Sequence, residues 1–272
     1  MFLTSTSLCL LAVQMGAASN EGADAKQLVR QVIQHEIKSQ AAEASDENLW
    51  SYRELTRQKG KELLFEYCQT KHGTIDRLLA VNGRPLSPSE SQAEDKRIQK
   101  VITTPDAMLA EQKKRRADAE EETKFLSLFA DAFQYREQKR QGDLVQLLFT
   151  PDPNFRPSGI EERALHNFQG TIVLNVKQKR LVSVNGRLMS EVRFLGGLAG
   201  HLDEGGTFSI QSENVAPGDW ELKSYDVQMT GKVLFFKTLT VQEHIVYSRY
   251  TPVPANTTLA QAAERLRKDV NP

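Results

Sequence analysis

Strand-like runs separated by short, glycine-bearing turns fill most of this chain of 272 residues, and they limit its fold more than any other feature. Apolar and polar residues alternate along residues 49–57, 61–71 and 75–81, with Lys59-Gly60 and His72-Gly73 marking the turns. Parallel strands need a long crossover between them, and connections this short leave no room for one. The pattern therefore predicts an antiparallel meander.

The second half of the chain is almost entirely strand-like. Its runs cover residues 144–149, 171–176, 180–185, 191–195, 207–214, 220–229 and 233–250. Because these strands follow one another instead of alternating with helices, the pattern predicts an α+β protein with one large, continuous antiparallel sheet.

An amphipathic helix precedes the first strand. Val29, Val32, Ile33 and Ile37 recur at helical spacing and share one face. A helix with one apolar face must bury it, so we expect this helix to dock on the rest of the fold.

A charged segment separates the two groups of strands. Between residues 105 and 140, 16 of 36 side chains are charged, eight of each sign. The second half of the same segment carries an apolar stripe at helical spacing, made of Phe125, Leu128, Phe129, Ala132 and Phe133. The segment predicts a long helix with a solvated first half and a docked second half. We expect a helical insert over about residues 87–140 within a single domain of residues 20–272.

Two capping signals mark further helices. Ser158 with Glu161 and Thr258 with Gln261 have the spacing of capping boxes, and Gly170 is expected to end the first of these helices.

An internal echo links residues 77–84 to residues 180–187, each containing Arg-Leu, then Val-Asn-Gly-Arg. One interpretation is that Asn-Gly ends a strand because both residues tolerate positive φ angles. The other is that the two segments are related strand layers of one sheet. Both interpretations remain open from the sequence.

The first nineteen residues resemble a secretory signal peptide. An apolar run is followed by small residues at 16–19, although no Lys or Arg precedes the run. Its removal would place the protein in the periplasm or outside the cell and leave Cys68 as the single thiol. A lone cysteine in an alternating run predicts a small buried side chain, with no disulfide to support the fold.

Composition and motifs exclude several classes of function. Lysine and arginine together number 35, as do aspartate and glutamate, which argues against nucleic acid as a partner. No apolar segment reaches the length of a membrane span. We also expect a monomer.

The glycine-rich residues 194–208 carry His201, Asp203 and Glu204, which suit a general base or metal ligands. We favour a structural turn there, and expect no metal, no cofactor and no enzyme activity; a hydrolase using His201 and Asp203 is the minor alternative.

Aromatic and aliphatic side chains on the strands are the candidate ligand contacts. They are Trp50, Tyr52, Phe65, Tyr67, Phe235, Leu239 and Tyr247. They fit either a filled core between sheet and helices, or an apolar cavity in a curved sheet that holds an acyl chain.

The order of elements resembles the periplasmic lipoprotein carriers and outer-membrane lipoprotein-sorting proteins. That resemblance implies a curved, half-open barrel covered by helices that shields lipid acyl chains. Residues 149–155, 196–208, 217–220 and 231–237 look like a group of uncharacterised secreted bacterial proteins, which implies no activity. The sequence thus favours a carrier for an apolar ligand, either a lipid or a lipid-modified protein. The alternative is a non-enzymatic structural or interaction protein of the bacterial envelope with a filled core.

Overall fold

A computed structural model describes residues 7–43, 48–194, 200–233 and 237–268. The helices are α1 (Ser7–Glu43), α2 (Pro88–Thr103), α3 (Pro105–Ala132), α4 (Ile160–Leu165) and α5 (Leu259–Lys268). The first strands are β1 (Leu49–Gln58), β2 (Lys61–Thr70), β3 (Gly73–Val81), β4 (Arg84–Pro85), β5 (Phe133–Gln141), β6 (Leu144–Pro151) and β7 (Phe168–Asn175). The remaining strands are β8 (Arg180–Leu188), β9 (Val192–Phe194), β10 (Gly200–Leu202), β11 (Thr207–Ala216), β12 (Asp219–Val233) and β13 (Lys237–Val253).

All of the described strands belong to one antiparallel sheet. Its order is β4-β3-β2-β1-β13-β12-β11-β8-β7-β6-β5, and the short hairpin β9–β10 joins it through β12. The outermost strands of this order are β4 and β5, so the sheet is not closed. The predicted α+β class, the meander and the open antiparallel sheet with helices are confirmed.

The helical insert links the two edges of the sheet. Helices α2 and α3 leave the edge at β4 and return the chain at β5, while α3 packs against α1 and touches β3. The prediction that the insert extends to about residue 140 is wrong, because α3 ends at Ala132 and Phe133 begins a strand. Both Phe133 and Tyr135 are buried and Gln134 is exposed, so the two-residue period of a strand replaces the helical stripe at Phe133.

Two hydrophobic clusters stabilise the sheet. The larger one joins the buried face of α1, the end of α3 and the inner residues of β5–β8; within it Val29 and Val32 have no exposed surface, as the amphipathic pattern predicted. The smaller one lies under α2 and α5 and contains Ile75, Ile98 and Leu266. Cys68 is part of this second cluster with 0 % of its surface exposed, which confirms its predicted burial.

The two halves of the internal echo fold differently at their ends. Asn82 and Gly83 have φ angles of 51° and 73° and form the turn into β4. Asn185 and Gly186 instead lie inside β8, where Gly186 packs against the ring of Phe208. The interpretation that Asn-Gly ends a strand is therefore wrong for the second copy, because the space left by glycine is used there for packing and not for a turn.

Each of the two echo segments carries its own buried arginine, and each arginine links a helix to the sheet. Arg77 on β3 is 2 % exposed, and its Nη1 donates to Asp95 Oδ1 on α2 over 2.6 Å. Arg180 on β8 is 8 % exposed, and its Nε lies 3.2 Å from Glu36 Oε1 on α1. Both segments belong to the same sheet, as the second interpretation of the echo required.

One of the two predicted caps is observed. At α5, the backbone N–H of Gln261 donates to Thr258 Oγ1 and the Gln261 side chain accepts from the Thr258 N–H. The prediction of a capping box at Ser158 is wrong, because Gly159 is the N-cap of α4. Gly170 does not end α4 but lies in β7, where a Cβ atom would be 1.8 Å from the Asn185 carbonyl oxygen.

The N-terminal segment overlaps the first helix. Residues 1–6 lie outside the described residues and α1 begins at Ser7, so the signal peptide over residues 1–19 stays a prediction. Among the described helices, none combines the length and the apolar character that a bilayer crossing requires.

Candidate functional site

A cluster of aromatic rings lies on one face of β1, β2 and β13. Tyr52 is directly opposite Tyr67, and their rings stack with centroids 5.0 Å apart. Tyr247 and Tyr250 lie 6.0 and 5.3 Å from Tyr52. We call this surface the aromatic face; its members are Trp50, Tyr52, Phe65, Tyr67, Tyr247 and Tyr250.

Tyr250 joins this face through an irregularity in β13. Alternation alone would place Tyr247 and Tyr250 on opposite faces of the strand. The pairing of β1 with β13 shifts between Ser51 and Arg53, and Arg249 has a φ angle of 59°. The extra residue of this β-bulge turns Tyr250 towards Tyr52. The sequence analysis missed Tyr250 for this reason.

The aromatic face continues the face of the sheet that carries α1 and α3. Residues directly opposite one another in an antiparallel sheet point to the same side. One such row runs from β1 to β6 and consists of Thr56, Ile245, Tyr225, Ile210, Val184, Ile172 and Leu147. Its β6–β8 end is buried under the helices, while its β1 end, Thr56, lies four residues along the strand from Tyr52 and on the same face. The aromatic face therefore lies on the same side of the sheet as the main core, with β11 and β12 between the two, and opposite the side that packs on α2 and α5.

The tyrosines of the aromatic face are half-buried, and two of their hydroxyls are used within the fold. Tyr250 donates to the Leu222 carbonyl oxygen over 2.6 Å, and Tyr67 donates to Glu54 Oε1 over 3.5 Å. Burial is the main reason that the pKa values of Tyr67, Tyr247 and Tyr250 are raised. All three rings therefore stay neutral, and Tyr67 and Tyr250 offer ring surface rather than free hydroxyl groups.

Glu54 places a carboxyl group in the middle of the rings. It is directly opposite Phe65 on one side and Tyr247 on the other, and Thr56 donates to its Oε1 over 2.7 Å. Burial raises the pKa of the Glu54 carboxyl above its ordinary value, and the hydrogen bonds from Thr56 and Tyr67 only partly oppose this shift. The folded protein consequently holds this proton more tightly than the unfolded chain does.

The raised pKa of Glu54 predicts a pH-dependent stability. Its stabilising contribution is complete below the ordinary glutamate pKa of about 4.3 and is lost as the pH rises through the raised value. We expect Glu54→Gln to leave the free energy of unfolding nearly unchanged at about pH 4 and to increase it at about pH 7. Urea unfolding at both pH values measures this, with the exposed Glu204→Gln as the control for removing one charge. A variant that is less stable than the wild type at neutral pH would contradict the assignment.

Trp50 contributes an unused hydrogen-bond donor. Its side chain is 5 % exposed and meets the ring of Tyr250 edge-on at 6.2 Å. Within the described part of the chain, no acceptor lies within hydrogen-bond reach of its indole Nε1. Buried donors are nearly always paired, so this N–H is an exception within the fold, and it has almost no surface exposed to solvent.

The structure brings five of the seven predicted contact residues together. Trp50, Tyr52, Phe65, Tyr67 and Tyr247 all belong to the aromatic face. Leu239 is half-buried on the same strand as Tyr247 but eight residues away, roughly 26 Å along β13. It therefore lies outside the cluster. Phe235 lies outside the described residues.

A polar groove of about 670 Å³ lies near the β1–β2 turn. Its walls include Arg57, Asp226 and His244, and His244 Nδ1 is 3.0 Å from Asp226 Oδ2. The groove is open and charged, so it differs from the apolar cavity between sheet and helices that the sequence left open.

The glycine-rich segment forms the hairpin β9–β10, with residues 195–199 outside the described part. His201 lies on β10, and Asp203 and Glu204 follow the strand. His201 Nε2 is 3.2 Å from Asp203 Oδ1 and 3.9 Å from Glu191 Oε2. Sequence reasoning missed Glu191, because ten positions separate it from His201. Its place opposite Asp203 follows only once the hairpin register is known.

Comparisons with protein-family models, with curated proteins and with solved structures returned no match.

Proposed function

We propose that this protein is a periplasmic or secreted, non-enzymatic carrier that binds an acyl chain of a lipid or of a lipid-modified protein on its aromatic face. The observation that carries this proposal is the cluster of six aromatic rings on β1, β2 and β13, which lies on the same side of the sheet as the main core but outside that core.

The chemistry of the face suits an acyl chain. Each methylene group removed from water contributes roughly 0.8 kcal/mol, so a long chain needs little polar recognition. Tyr67 and Tyr250 present ring surface because their hydroxyls already have partners.

The packing under α1 bears on where such a ligand would bind. Phe133, Leu147 and Ile172 have no exposed surface in the main cluster. This filled core favours a ligand on the open aromatic face over one enclosed between sheet and helices. It also suits the second candidate function, an interaction protein of the bacterial envelope whose working surface is the charged helix α3.

Displacement of a fluorescent fatty acid tests the proposal. We expect the full chain to bind the probe and Tyr52→Ala to weaken binding by about tenfold, which corresponds to about 1.4 kcal/mol of lost contact. Phe125→Ala is the matched control, since it removes an aromatic ring that is 41 % exposed on α3. Native mass spectrometry of protein purified from a bacterial periplasm should also show co-purified lipid. Absence of both probe binding and bound lipid would overturn the proposal and leave the interaction protein as the better candidate.

A further inference from the structure

We infer that Glu191, His201 and Asp203 form a binding site for a divalent transition-metal ion of the Zn²⁺ type. We call these residues the hairpin triad. The site is separate from the aromatic face, and its argument does not depend on the proposed carrier function.

The hairpin register brings the triad together. Leu202 pairs with Val192 and His201 with Arg193, so the next step of the ladder places Asp203 opposite Glu191. Residues two apart on a strand point to the same side, as do residues directly opposite one another. One side of the hairpin therefore carries the whole triad.

The distances fit a single ion. His201 Nε2 is 3.2 Å from Asp203 Oδ1 and 3.9 Å from Glu191 Oε2, and all three donor atoms lie within 4.8 Å of one another. Two ligands at Zn²⁺ distances of about 2.0–2.2 Å in a tetrahedral arrangement are about 3.3–3.6 Å apart. The carboxylate side chains of Glu191 and Asp203 are 38 % and 45 % exposed, so small rotations can close the remaining gap.

The donor set selects the class of ion. An imidazole nitrogen suits Zn²⁺ and its neighbours, whereas Ca²⁺ and Mg²⁺ prefer oxygen ligands alone. Three protein ligands also leave one position of a tetrahedral ion open to water.

The backbone around the triad is fixed on both sides. β10 pairs with β9 and with β12, and the N–H of Asp203 donates to the Thr230 carbonyl oxygen over 2.9 Å. Gly231 permits this close approach, because a Cβ atom there would be 2.1 Å from the His201 carbonyl oxygen. Two of the three ligands therefore start from positions that the sheet determines.

Arg193 orients the third ligand. Its guanidinium donates to Glu191 Oε1, and this contact leaves Oε2 directed to His201. In metal sites, neighbouring groups commonly form hydrogen bonds with the ligands and fix their orientation, and the guanidinium of Arg193 has this role towards Glu191. A contact of His201 with the two carboxylates alone is the metal-free explanation, and the experiment must separate it from a metal site.

Isothermal titration of the EDTA-treated full chain with ZnCl₂ tests this inference. We expect saturable binding of one ion per chain and an affinity lower by about tenfold or more in His201→Gln. His244→Gln is the matched control, because His244 faces one carboxylate, Asp226, over 3.0 Å but does not belong to a group of three close metal-ligating side chains among the described residues. It should bind Zn²⁺ like the wild type.

Circular dichroism establishes whether each variant folds. If His201→Gln does not fold, Asp203→Asn and Glu191→Gln replace it with the same expected loss. Absence of saturable binding, or equal affinity in the wild type and in every folded triad variant, would overturn the metal site and leave the ion pair. Neither outcome alters the fatty-acid displacement result, so the two proposals fail independently.

Discussion

Phe149→Ala is expected to lower the free energy of unfolding by about 3–5 kcal/mol. The ring of Phe149 has no exposed surface and lies 5.0 Å from Phe129 and 4.9 Å from Phe133. It joins β6 to the end of α3 and the start of β5, so its removal leaves a cavity where three elements meet. For a chain of this size the melting temperature should fall by roughly 6–20 °C.

Urea and thermal unfolding measure this loss against Phe125→Ala. Phe125 belongs to the stripe whose Phe129 and Phe133 pack against Phe149, but it is 41 % exposed, and we expect its replacement to change stability by less than about 1 kcal/mol. Equal losses in the two variants would contradict the assignment of Phe149 to the core.

Glu36→Ala is expected to destabilise the fold by about 3–5 kcal/mol, because it leaves a buried charge without compensation. Glu36 is 7 % exposed, and its Oε1 accepts from the Leu181 backbone N–H over 2.5 Å and lies 3.2 Å from Arg180 Nε. The substitution would free the guanidinium of Arg180 and one backbone donor of β8 at once. It would also release the contact that joins the second half of α1 to the sheet.

The matched control is Glu137→Ala, which breaks an exposed ion pair with Arg140 on β5. Exposed pairs contribute about 0–1 kcal/mol, so chemical denaturation should separate the two variants clearly. If Glu36→Ala cost no more than the control, the Glu36–Arg180 contact would not be a structural link.

Local patterns with one physical solution were predictable from the sequence. The stripe from Val29 to Ile37 can bury its apolar side only as a helix, and in the structure this side packs within the larger hydrophobic cluster. The meander followed from turn lengths, and the cap of α5 followed from the spacing of Thr258 and Gln261.

Patterns with two physical solutions were not predictable. Phe133 fits both the helical spacing of the preceding stripe and the alternation of the following strand. Its pairing with β6 makes it the first residue of a strand. Asn185-Gly186 has the composition of a turn, yet the approach of Phe208 and β7 places it inside a strand.

The candidate sites depended on long-range pairing in the same way. Five aromatic residues of the face were identifiable because they alternate on their strands, but Tyr250 required a bulge. Glu191 required the register of β9 and β10, which no spacing in the sequence specifies.

Photocrosslinking with a diazirine-labelled fatty acid, followed by peptide mapping, tests the proposed carrier function most directly. The account predicts adducts on the peptides of β1, β2 and β13 that carry Tyr52, Tyr67 and Tyr247, and competition by unlabelled fatty acid should remove them. Adducts confined to other peptides, or none that unlabelled fatty acid removes, would contradict it.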